Sequence, residues 1–111
     1  MLIPRHWREK VCRILESCDG SCITITRRAR LEWEASFPQT FLFELYRAMA
    51  LTLRHDDVEG ELVLGMTPPG EVYEFFFTHE NQTMYGKVSL LANGKLLIIY
   101  SAHIPLKGGT L

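Results

Sequence analysis

No apolar run in this chain approaches the ~18 residues that a bilayer-spanning helix needs, which excludes an α-helical membrane protein. The opening residues, MLIPRHWREK, turn charged before an apolar signal segment can form. The expectation is a soluble, cytosolic protein. A surplus of one charge sign is missing too. Twelve Lys/Arg stand against thirteen Asp/Glu, a net charge of −1, which argues against bulk nucleic-acid binding through a basic surface. Cysteine is scarce: Cys12, Cys18 and Cys22 are an odd set, which argues against a complete intrachain disulfide framework. With His6 they form a nominal Cys₃His set. They lack a Cys-x-x-Cys knuckle and a second cluster, so they read as free thiols, with no metal and no cofactor expected. A phosphate-cradling glycine loop, a nucleophile elbow, an HExxH helix and a paired-carboxylate motif are all missing. So are internal repeats, low-complexity tracts and linkers.

What remains is a chain of 111 residues, 47% apolar and 11% aromatic. That is enough for one domain with a real core and no staples. Its charge is unevenly spread: residues 1–34 carry a net +2, residues 35–78 a net −5 and residues 79–111 a net +2. Any nucleic-acid contact must therefore be local, with the acidic middle turned away.

Residues 4–18 read as an amphipathic helix. Trp7, Val11, Ile14, Leu15 and Cys18 form the apolar stripe, while Arg8, Glu9, Arg13 and Glu16 take the wet side. CITIT, residues 22–26, is a short strand. RRARLEWEAS then reads both ways. It alternates like a strand, yet as a helix it aligns Ala29, Trp33 and Phe37 and offers Thr26 as N-cap. Arg27 and Arg28 in the first turn would oppose the helix dipole, but composition favours the helix. A second helical segment is expected from Pro38 through Leu53, with Phe41, Leu45, Ala48, Met49 and Thr52 inward. Residues 61–66 make a strand, and Thr67-Pro68-Pro69-Gly70 a turn.

The C-terminal third reads as three antiparallel strands, at residues 72–78, 84–91 and 95–103. Asn93-Gly94 supplies the strongest hairpin signal, since a tight primed turn needs positive φ at both central residues. The last run is nearly continuously apolar, as a strand covered on both faces would be. The order α, β, α, α, β, β, β, β gives one α+β domain over residues 1–111. Its antiparallel sheet of four or five strands carries helices on one face.

The chemically usable side chains crowd two of those strands. Alternation puts Tyr85 and Lys87 on one face, and Ser101 with His103 on one face, while Tyr100 points opposite to those two. His103 is the natural acid or base because an unperturbed imidazole titrates near neutrality. A plainer reading is an edge histidine bonded to backbone.

In element order and texture the chain resembles the RelE/ParE group of bacterial toxins, within the barnase, colicin and RelE-like nuclease superfamily. The resemblance lies in the strand at residues 23–26, the helical hairpin at 27–53, and consecutive strands closing on IIYSAHIPLK. It covers residues 22–107 and leaves the helix of residues 1–20 as an N-terminal extension. It implies a small toxin-like endoribonuclease that cleaves RNA without metal, by attack of a 2′-hydroxyl on the adjacent phosphate. In that reading Lys87, His103 and Tyr85 are catalytic, and Tyr100, Ser101 and Lys107 bind substrate. Two other functions fit the same chain. One is a non-catalytic binding module, immunity- or antitoxin-like or a regulatory subunit, docking a basic partner through its acidic middle. The other is a structural domain that homodimerises through an exposed strand or the helix face around Phe41 and Phe43.

Overall fold

The computed structural model describes residues 1–105. Three helices, α1 (Arg5–Ser17), α2 (Arg27–Ser36) and α3 (Leu42–Leu53), accompany five strands: β1 (Ile23–Ile25), β2 (Gly60–Val63), β3 (Gly70–His79), β4 (Gln82–Leu91) and β5 (Leu97–His103). The sheet order is β1-β5-β4-β3-β2. Strands β2 to β5 pair antiparallel in sequence order, and β1 adds to β5 in parallel, Ile23 opposite Leu97. The α+β class and the five strands agree with the sequence pattern, but the sheet is mixed rather than antiparallel, because β1 joins β5 in parallel.

One face of the sheet carries the core. Tyr73, Phe75 and Phe77 of β3, Met84, Val88 and Leu90 of β4, and Leu97, Ile99 and Ala102 of β5 alternate onto it and meet the helices. Trp7, Val11 and Leu15 of α1 are fully buried there. Trp7 sets its ring edge-on to Tyr73 at 5.0 Å, and its indole N–H donates to the Glu71 carbonyl at 3.0 Å. At ~1.5–3 kcal/mol for each buried side chain, such anchors hold α1 on the sheet. Gly86 leaves room for Met49 of α3 and Phe77, because a Cβ there would sit 3.1 Å from the Met49 methyl and 3.2 Å from the Phe77 ring.

One expectation, the helix over residues 27–36 that composition favoured, holds: the Thr26 hydroxyl accepts from the Ala29 N–H at 3.1 Å. Several others need correction. Helix α3 starts four residues after Pro38, because Gln39 takes a left-handed φ of 68° that no helix continues through. Phe41 is therefore the N-cap residue and is 70% exposed rather than inward. Its backbone N–H is held by the Glu44 carboxylate at 2.9 Å. In α1, Cys18 is the exposed, left-handed C-cap rather than part of the stripe. Arg8 is buried rather than wet, because its guanidinium donates to the carbonyls of Ile3 and Leu53, both at 3.1 Å, and to Asp56 at 3.2 Å.

Strand β2 stops at Val63, and β5 starts at Leu97. The Asn93-Gly94 hairpin has positive φ only at Gly94. Its turn is centred on Ala92 and Asn93, closed by Gly94 N–H to the Leu91 carbonyl at 2.8 Å. The turn with two positive φ values is the β3–β4 one, at Glu80 and Asn81, which holds His79 opposite Gln82.

Candidate functional site

The second face of the sheet holds the polar constellation. Ladder partners fix its geometry, since residues directly opposite one another put their side chains on the same side. Phe76 of β3 is opposite Tyr85 of β4, which is opposite His103 of β5. One pleat along, Glu74 is opposite Lys87, which is opposite Ser101. The next row, Val72, Ser89 and Ile98, lies towards the far end of the strands, where Val72 and Ser89 are fully buried. The face thus grades from closed to half-open, and Phe76, Tyr85, Lys87 and His103 occupy the half-open end.

Within this end the contacts are specific. The Tyr85 and His103 rings stack at 4.8 Å with 28° between planes. The Tyr85 hydroxyl donates to a Glu74 carboxylate oxygen. Burial first, then the bond to Glu74 and its charge, push the Tyr85 phenol well above its ordinary value, while Arg28 pulls the other way. Tyr85 therefore keeps its proton and acts as a strut between Glu74 and His103. One His103 ring nitrogen, Nδ1, lies 2.7 Å from the Ile104 carbonyl. A carbonyl only accepts, so Nδ1 carries the hydrogen and Nε2 is left for chemistry. The backbone bond of the plainer reading is present, and it orients the ring rather than occupying both nitrogens.

Helix α2 reaches this site from the β5 side. Strand β1 ends at Ile25, so the ladder beyond it is taken over by Glu32, whose carboxylate accepts from the Ala102 N–H at 3.2 Å. The other Glu32 oxygen holds the Arg28 guanidinium at 3.1 Å. Arg28 and Glu32 are close enough for Tyr85 to feel both charges.

Of the residues singled out in the sequence, Tyr85, Lys87, Ser101 and His103 are brought together. Ser101 faces Lys87 and is buried, 6% exposed. Tyr100 does not join the rows. A β-bulge between Lys87 and Val88 leaves it as the extra residue of β5, and its buried hydroxyl has no partner among the described residues. Lys107 lies outside the described residues. Sequence reasoning missed Glu74, Phe76 and Arg28. Glu74 and Phe76 follow the same alternation that was used for β4, and only the β3–β4 register was needed to find them.

His79 lies apart, its ring 5.1 Å from Trp33 and 4.7 Å from Phe37 at the hairpin end. The cysteines and His6 point to separate partners: Cys12 to the Ala50 carbonyl, Cys18 to that of Leu15, Cys22 to Asp19 and His6 to Glu71. A groove of about 630 Å³ runs between α1 and the end of α3, away from the sheet face. Its Arg5, Arg8 and Arg54 are taken up by Glu9, Asp56 and Glu16, and Arg13 is the one lining arginine without an ion pair among the described residues.

No family model matches the chain, and no similar curated protein or solved structure is found.

Proposed function

We propose that the half-open sheet face cleaves RNA without a metal ion. The observation that carries this reading is a carboxylate and an ammonium on opposed positions of β3 and β4, with an imidazole one pleat along on β5 of the same face, braced by Tyr85. Transfer of a phosphoryl group within RNA needs three things: a base for the 2′-hydroxyl proton, positive charge for the phosphate, and an acid for the leaving oxygen. Glu74 takes the proton as the 2′-oxygen bonds to phosphorus. Lys87, its ladder neighbour, balances the charge gathering on the phosphoryl oxygens. His103, as imidazolium, gives the Nε2 proton to the 5′-oxygen as the P–O bond breaks. The products are a 2′,3′-cyclic phosphate and a free 5′-hydroxyl. Arg28 adds positive charge on the α2 side, and Tyr85 spaces the base from the acid. The overall charge of −1 fits a site whose phosphate contacts are few and local.

The test is induced expression of the protein in bacteria, beside Lys87→Ala and His103→Gln. Purified proteins are then incubated with RNA in EDTA. The wild type should arrest growth and leave cyclic-phosphate ends, and each substitution should slow cleavage by roughly 10²-fold or more. Intact RNA with soluble, folded wild-type protein would remove the nuclease reading.

A second reading, a protein-binding domain, draws on one observation. Phe41 and Phe43 stack at 5.8 Å on the outside of α3 while 70% and 41% exposed, with Leu51 61% exposed further along that helix. If RNA stays intact, concentration-dependent sedimentation would decide between self-association through this patch and a separate partner.

A further inference from the structure

We infer that Phe76, Tyr85 and His103 form a stacking rail for unpaired bases, so that the site takes single-stranded RNA and rejects duplex. This rests on the cleavage reading and adds to it the state of the substrate and a residue, Phe76, that does no chemistry. The three rings sit on directly opposed ladder positions of β3, β4 and β5. Neighbouring strands are ~4.8 Å apart, so the row crosses the face over about 10 Å. Tyr85 and His103 stack on each other, which fixes both rings and leaves the outer face of each, that of Tyr85 towards Phe76, for a base. Phe76 stays half-exposed although its chain neighbours Phe75 and Phe77, on the opposite face, are fully buried.

The charged row of Glu74 and Lys87 runs beside the rail, two residues along each strand and thus about 7 Å away. A nucleotide whose base lies on the rail can set its phosphate over Lys87, between base and acid. Aromatic faces are blind to base identity but require the base face to be free. A duplex hides those faces, and half-buried rings on a sheet cannot enter its deep groove. The rail therefore selects strandedness first.

The experiment measures binding separately from cleavage. The probe is a short fluorescent 2′-O-methyl oligoribonucleotide, which lacks the attacking hydroxyl, alone and annealed to its complement. Full-length protein should bind the single strand and hold the duplex at least tenfold more weakly, by fluorescence anisotropy. Phe76→Leu keeps an apolar side chain but removes the π-face, and should raise Kd roughly tenfold. Phe76→Trp should restore wild-type affinity or better. Wild-type Kd in Phe76→Leu, or equal affinity for duplex, overturns the rail. The two proposals fail separately. Single-strand binding that depends on Phe76, with unmodified RNA left intact, keeps the rail and removes the cleavage. Cleavage by Phe76→Leu with wild-type Kd and rate does the reverse.

Discussion

The three cysteines show how far one residue type is differentiated by place. Cys18 is exposed and Cys22 half-exposed, whereas Cys12 is buried under α3 with its thiol towards the Ala50 carbonyl. Burial first, and then the Glu16 carboxylate, raise the Cys12 thiol from 9.0 to about 11. An acid raised on folding stabilises the native state at pH values below its unfolded value, and that contribution fades as pH climbs through the folded one. The urea midpoint should therefore hold up to about pH 9 and fall towards pH 11, with a flatter decline in Cys12→Ala. Tyr46, Tyr73 and Tyr85, also raised, act in the same direction from a higher starting pH. In native protein near neutral pH, a thiol reagent should label Cys18 and Cys22 quickly and Cys12 only on unfolding. Rapid labelling of all three would contradict the burial.

Among the elements, α2 links the fold to the site. Its N-terminus carries Arg27 and Arg28, which oppose the helix dipole, so the Thr26 cap has more to offset than usual. Thr26→Ala should cost about 1 kcal/mol of stability in chemical denaturation. Because Glu32 holds the Ala102 amide, hydrogen exchange at Ala102 should quicken more than at Val88 in the middle of β4. Equal change at both amides would mean that α2 does not secure the end of β5. This element also marks what the sequence can convey. Its apolar positions fit both periods, and the deciding information was a single hydroxyl before it. The α1 stripe and the alternation of β3 and β4 were legible because one face is buried and the other is not. The bulge at Tyr100 was not, since one added residue inside an apolar run leaves the run looking continuous. Alternation alone paired Tyr85 with Lys87 and Ser101 with His103, but that the two pairs share one face came only with the β4–β5 register. Glu74 and Phe76 could not be placed beside them until the register across the β3–β4 turn was known.

At the scale of the whole molecule, the N-terminal helix is tied to the rest by a buried cation. Arg8 is 6% exposed, and its three hydrogen bonds reach the segment before α1, the last residue of α3 and the loop beyond it. Asp56, its only carboxylate partner among the described residues, is 91% exposed. The two ends of this pair should respond very differently to substitution. Asp56→Ala leaves the guanidinium with two carbonyls and open water nearby, and should cost under ~1 kcal/mol. Arg8→Ala strips donors from the Ile3 and Leu53 carbonyls, leaves a gap where the buried side chain lay, and should cost roughly 3 kcal/mol. Since α1 and α3 both pack over β3, the loss should spread to the sheet and lower the midpoint for the whole domain, with one transition by both fluorescence and circular dichroism. A separate early transition confined to α1 would show instead that the helix is an independent appendage. Equal costs for Arg8→Ala and Asp56→Ala would mean that the ion pair, rather than the two carbonyls, fastens the helix to the fold.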